Sequence, residues 1–304
     1  MPMRTAWIVA VFILSPAAAA QAQFPKTCAD GTELPFARIA AEHPIDTVCP
    51  ALTGLPDAPE ASHKQNTVKN NFCASAPQPK SFTPAMLIDL QGEAKKQHVS
   101  FGHDREPDDR SPLDGLGEGS LVRMKAYLIE SHYADLGDGE SVNCDRPAEE
   151  DNDIHIALGP EVNTLECASV SAEISPHFRP AAWTAFGTFE NFKAGKYTVD
   201  PQVASRLKSH PYRITGQLFF DASHVPCPCG TRRCSPSRSS LWEIHPVYKI
   251  EVCRAGAACD EANDGDWMDF DTWWNSLAPI QHLQGPHSHT AHEPRKPKAA
   301  GGAS

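Results

Sequence analysis

The clearest pattern along this chain is alternation of apolar and polar positions. From Asp153 to Leu158, Ile154, Ile156 and Leu158 fall on one side of an extended segment, and Asp153 and His155 fall on the other. The same period recurs from Cys167 to Ile174, where Ser171 and Glu173 oppose Ala172 and Ile174. It recurs again from Leu241 to Val252, where Glu243 and His245 oppose apolar positions that include Trp242, Ile244 and Ile250. Two more runs read as strands: Leu121 to Tyr133, rich in strand-compatible residues, and Tyr212 to Asp221, with apolar Ile214, Leu218 and Phe220. Gly216 marks a bend or bulge in the latter. Pro246 cannot donate to a ladder, so it predicts an edge or bulge beside Glu243 and His245.

Helical patterns fill the gaps. Thr83 followed by Pro84 supplies an N-cap and a first-turn proline, and Met86, Leu87 and Leu90 an apolar stripe, which predicts a helix from Pro84 to Lys96. Pro176 to Lys208 reads as helical, with Trp183, Phe186, Phe189 and Phe192 in one stripe and a second start at Asp200-Pro201. Five strands with a helical insertion between the third and fourth follow the order of an OB-fold. The expected class is therefore mainly β with helical insertions, an OB-fold-like five-stranded Greek-key barrel with a disulfide-held N-terminal arm. Beyond Cys253, Trp267, Phe270, Trp274 and Leu277 are spaced for a capping helix whose aromatics serve the core rather than stack on a cofactor. Phe24 to Gln78 shows little periodicity and reads as an irregular arm packed on the main domain. The division follows: a signal peptide over 1–22, arm and helix over 23–116, barrel over 117–254, capping helix over 255–284, and a disordered His-, Lys- and Pro-rich tail over 285–304.

Composition adds a compartment. Arg4, the apolar run Ala6 to Leu14 and the small residues ending at Ala20-Gln21-Ala22 match a secretory leader too short to span a bilayer. The mature protein is thus expected to be exported, periplasmic or secreted, and not an integral membrane protein. Export turns the 10 cysteines into disulfide candidates, with connectivity left open by spacing alone. The formal charge of -11 becomes -12 when Arg4 leaves, which argues against general nucleic-acid binding. Arg232, Arg233 and Arg238 remain as a local basic cluster in one loop, most simply a solvated one.

The runs Val68 to Cys73, Gly117 to Gly119, Glu140 to Cys144, Asn152 to Ile156, Ala172 to Ile174, Arg213 to Gly216 with Phe219 to Asp221 and His224, and Trp242 to Pro246 resemble those of an uncharacterised family of exported, cysteine-containing bacterial proteins. The resemblance covers most of the mature chain and implies export and a shared fold. It carries over no catalytic residue.

The polar interruptions of the strands are the candidate chemistry. Asp153, His155, His224 and His245 offer hard oxygen and imidazole ligands suited to a divalent metal such as Zn or Mn. Glu173, Glu243 and His245 are the candidate catalytic groups, able to act as base on an activated water. Arg232, Arg233 and Asp221 are candidate ligand-binding groups, the arginines as an anion clamp. Polar residues on the solvent face of a half-exposed strand need no function at all, and their spacing here is no recognised ligand signature. A second set, His224, Cys227, Cys229 and Cys234, has zinc-ligand chemistry, but export favours disulfides from these cysteines to Cys144, Cys167 or the arm. The acidic loop Asp260 to Asp271 fails as an EF-hand, because Ala262 takes the third position and Asp271 the twelfth. The tail residues His287, His289 and His292 are at most weak metal scavengers. No nucleophile elbow, P-loop or dinucleotide fingerprint is present. Two readings follow: an exported binding module for a small-molecule, carbohydrate or envelope ligand, or a metal-assisted hydrolase of phosphodiesters or other esters. Convergence of His155, Glu173 and His245 on one point is the geometric condition that the second requires.

Overall fold

A computed structural model describes residues 28, 43–102, 105–185, 201–227, 237–254 and 258–277. The strands are β1 (Ser75–Phe82), β2 (Ser120–Tyr133), β3 (Ile154–Gly159), β4 (Val170–Ile174), β5 (Pro211–Phe220), β6 (Trp242–Cys253) and β7 (Trp267–Asp269). The helices are α1 (Glu60–Lys69), α2 (Pro84–Lys96), α3 (Ser111–Gly115), α4 (Ala181–Ala185), α5 (Pro201–Lys208) and α6 (Phe270–Ser276).

Five strands close a barrel in the order β2-β3-β4-β6-β5 and back to β2, with β4 and β6 parallel and the other pairs antiparallel. This is the OB-type arrangement expected from the strand order. Closure follows from alternation. Val122, Met124, Ala126 and Leu128 of β2, Ile154, Ile156 and Leu158 of β3, Val170, Ala172 and Ile174 of β4, and the matching positions of β5 and β6 form one connected buried cluster. Each large aliphatic side chain so buried contributes about 1.5–3 kcal/mol. The opposite faces of β3 to β6 then point outward from the barrel, and these carry Asp153, His155, Glu173, Glu243 and His245.

The bulge expected at Pro246 is present, as a register shift around Gly216 on the facing β5. A Cβ at Gly216 would meet Pro246 O at 2.4 Å, which explains why the position holds glycine. β6 is no edge, however; it pairs with β4, β5 and β7.

Helix α2 spans the expected residues, with the Thr83 side chain accepting from Met86 N. It buries Leu87 and fixes the approach to β6, because Ser240 Oγ donates to Leu87 O and Leu241 N to Gln91 Oε1. Four disulfides join Cys28 to Cys73, Cys49 to Cys144, Cys167 to Cys227 and Cys253 to Cys259, and among the described residues no cysteine is free. Among those residues, no helix is long and apolar enough to cross a membrane.

Two expectations change. The arm is not irregular throughout: it contains α1 and the first half of β1. Helix α1 escaped the periodicity because the residues it buries are Gln65, Asn66 and Lys69, a polar face seated on a polar wall. β1 was hidden by Pro77 and Pro79, tolerable here because it is an edge strand, paired only with β2 and irregular between Ser75 and Lys80. The C-terminal aromatics do not form one helix, since Trp267 belongs to β7, which pairs with β6, and only Phe270 to Ser276 is helical. Of the long helical segment expected after β4, α4 and α5 are described; Phe186, Phe189 and Phe192 lie outside the described residues, as do the segments 1–22 and 285–304 for which a signal peptide and a tail were expected.

Candidate functional site: a buried ionic cluster in the barrel wall

Register puts the polar side chains together. His155 on β3 is the direct partner of Glu173 on β4, Ser171 on β4 is that of Glu243 on β6, and Phe219 on β5 faces Glu243 from the other side. Four strands thereby present one charged outer wall.

A roof covers this wall. Helix α1 reaches it through Lys69 Nζ, 3.5 Å from Glu173 Oε2 and 3.8 Å from Glu140 Oε1, and through Gln65 Nε2, which donates to Asp221 Oδ1 at 3.3 Å. Gln217 Nε2 on β5 donates to Val68 O at 2.7 Å, tying barrel to helix. The 3-10 turn Ser141–Asn143, between β2 and β3, adds Asn143, whose Nδ2 donates to Asp153 Oδ1 at 2.9 Å. Roof and turn are held against each other by Cys49–Cys144 and by a close backbone approach at Gly54. There φ is +73° and a Cβ would meet Ser141 O at 2.2 Å, so only glycine fits.

Within the cluster, Glu173 lies between two imidazoles: His155 Nε2 is 3.0 Å from Oε1 and His245 Nδ1 is 2.6 Å from Oε2. His245 Nε2 is 3.6 Å from Asp153 Oδ2, and its Nδ1 is 3.6 Å from Glu243 Oε1. Arg238 bridges the far side, bonding Glu243 Oε2 through Nη1 and Asp221 Oδ2 through Nη2 at 2.6 Å. His224 Nδ1 contacts the same Asp221 oxygen from the cluster's rim. Glu173, Glu243, His245 and Asp221 are 0% exposed, and Asp153 is 1% exposed.

Burial disfavours every charge here, and neighbours reverse the effect. It pushes the Lys69 ammonium down, but Glu173 and Glu140 outweigh it and hold the group well above its ordinary value. His155 is likewise desolvated, yet Glu173 and Glu140 raise it to about 9; His245, desolvated beside Glu173 and Glu243, rises to about 10. Glu173 sits well below the usual carboxylate range because His155, Lys69 and His245 overcome its burial. Asp221 is also held low, by His224, Lys69 and Arg238 against burial. Glu140 goes the other way, raised to about 6 by burial. With neutral imidazoles, the carboxylates of Glu140, Asp153, Glu173, Asp221 and Glu243 outnumber the cations Lys69 and Arg238. The remaining positive charge must come from imidazole protons or from an ion.

The structure thus brings together Asp153, His155, Glu173, Glu243, His245 and Asp221, but His155 and His245 flank opposite oxygens of Glu173, and the three residues whose ligand atoms share one point are Asp153, Glu173 and His245. Arg232 and Arg233 lie outside the described residues. The third arginine of that loop, Arg238, is not solvated; it is 1% exposed and bound to two wall carboxylates. The zinc reading of His224 with the three cysteines fails, because Cys227 is bonded to Cys167 and His224 is held by Asp221; Cys229 and Cys234 lie outside the described residues. Sequence reasoning missed Gln65, Lys69, Glu140 and Asn143. Lys69, Glu140 and Asn143 fall in runs that carried the family resemblance, which was the available signal.

Beside the roof, a cavity of about 500 Å³ opens between the end of α1 and the barrel. Leu52, Val68 and Phe72 give it an apolar lining, with Asn70, Asn71 and Gln217 at its polar side. Those amides are already engaged: Asn70 Nδ2 donates to Leu52 O at 2.9 Å, Asn71 to Gln217 Oε1, and Gln217 to Val68 O. No protein-family model, curated protein or solved structure matches this chain.

Proposed function

We propose that this is an exported binding module on an OB-like barrel, which takes a small, largely apolar ligand in the cavity between α1 and β5. The observation that carries this reading is the contrast in access. The groups that would perform hydrolysis are buried beneath the roof, whereas the neighbouring cavity has room for a small molecule and apolar walls to hold it. The disulfides and the leader-like N-terminus agree with an oxidising destination.

The test is a thermal-shift screen of small apolar compounds against the wild type and Thr67→Trp, which places a large side chain from an exposed helical position into the cavity mouth. Ligands that stabilise the wild type and lose their effect on the variant support the reading. Hits that stabilise both proteins equally overturn it.

One observation favours metal-assisted hydrolysis instead: the close grouping of Asp153, Glu173 and His245, with His155 on one oxygen of Glu173. Turnover of bis(4-nitrophenyl) phosphate in the presence of Zn or Mn, abolished by Glu173→Gln, would replace the binding reading. Absence of turnover removes the hydrolase.

A further inference from the structure

We propose that Asp153, Glu173 and His245 form a divalent-cation site, for an ion of the Zn or Mn type, sealed in the barrel wall beneath α1. One ligand atom from each lies within 4.8 Å of the others, and all three residues are buried.

Independent support comes from polar atoms with no hydrogen-bond partner. Asp153 Oδ2 and His245 Nε2 are buried without one and face each other at 3.6 Å, whereas Glu173 Oε1 and His245 Nδ1 lie at ion-pair distance from His155 Nε2 and Glu173 Oε2. A concentration of unsatisfied buried groups is what a structure shows where a water or ion belongs. The spacing fits. Two ligands, each about 2.1 Å from a tetrahedral ion, stand about 3.4 Å apart, and His245 Nε2 and Asp153 Oδ2 are 3.6 Å apart.

The surroundings complete the argument. Asn143 holds the other oxygen of Asp153, the kind of support that orients a ligating carboxylate. A second grouping of carboxylates, Glu173, Asp221 and Glu243, has equally close atoms, but there Arg238 already lies between Asp221 and Glu243 and does a cation's work. In the first grouping Lys69 and His155 contact Glu173, while Asp153 Oδ2 faces the ring of His245. Imidazole and carboxylate donors suit Zn or Mn.

The site rests neither on the ligand cavity nor on turnover, so uptake of metal and binding of a small molecule can succeed or fail separately. The test uses the full chain with His287, His289 and His292 replaced by alanine, which removes the tail as a competing chelator. This parent is stripped with EDTA, then unfolded in urea and refolded with its disulfides intact in the presence of Zn or Mn, so that a closed roof does not block entry. Metal retained by the folded fraction after desalting is measured by elemental mass spectrometry. The expected result is about one equivalent in the parent, as for a preformed site, and loss of that equivalent in Asp153→Asn and His245→Gln. Asn143→Ala keeps all three ligands and is expected to weaken affinity by about 10–100-fold, which preserves the test if a ligand variant does not fold. A parent that retains neither ion overturns the proposal, as does full retention in the ligand variants.

Discussion

Replacing Arg238 with methionine removes one buried cation and leaves two buried carboxylates facing each other. In the native protein its guanidinium bonds Asp221 at 2.6 Å and also Glu243, and all three groups are at most 1% exposed. Unit charges about 4 Å apart attract by about 4 kcal/mol at an effective dielectric of about 20. Two such pairs, less the desolvation that methionine no longer requires, leave a net loss of about 3–5 kcal/mol. With a urea dependence of about 3 kcal/mol per molar, the unfolding midpoint falls by about 1–1.7 M. The assay is urea unfolding followed by tryptophan fluorescence, which suits a core holding Trp183, Trp242 and Trp273. Adding Asp221→Asn and Glu243→Gln to Arg238→Met removes the stranded charges and is expected to recover more than half of the loss, through coupling between touching groups. A single variant with its midpoint within about 0.3 M of the wild type, or a triple variant no better than the single, would refute the claim that stranded carboxylates set the penalty.

Two further outcomes are expected. In EDTA, the folded values of about 10 for His245 and about 9 for His155 exceed the ordinary 6.5, so their contribution is complete below pH 6.5, declines above it, and is gone beyond about 10. Glu173 and Asp221 are shifted down, so theirs is complete above the ordinary 4.5 and 3.8 and is lost on acidification. The urea midpoint should therefore peak near pH 5–6, and a midpoint that climbs from pH 6.5 to 9 contradicts the assignment. Gly216→Ala should cost about 1–3 kcal/mol, because the new methyl would meet Pro246 O at 2.4 Å and Ile244 Cγ2 at 2.5 Å; an unchanged urea midpoint would show that the bulge has room to spare.

The barrel was legible because its strands obey the simplest pattern available, a period of two with one face apolar. The same period exposed the wall, since Asp153, His155, Glu173, Glu243 and His245 were conspicuous as polar residues in apolar company. What it could not show is that this outer face is also buried. Burial of a polar face leaves no apolar signature on the element that covers it, so α1 read as a formless arm although Gln65 and Lys69 are only 4% and 5% exposed. Arg238 was misjudged for a related reason: it follows two arginines in a loop, and only the fold reveals that it turns inward. The cysteines were legible as a set, but the pairing of Cys49 with Cys144 depended on three-dimensional proximity across a separation of 95 residues.

That pairing has a consequence for how the roof behaves. Helix α1 is anchored ahead by Cys49–Cys144 and behind by the chain running directly into β1. If it lifts, it stays at the high local concentration that a short tether imposes, of order millimolar. Reseating is then a first-order event, indifferent to dilution. Reduction of the disulfide would turn the roof into a flap held along one side. The disulfide thus gives the roof a covalent tether in addition to the contacts of Lys69, Gln65 and Val68 with the wall.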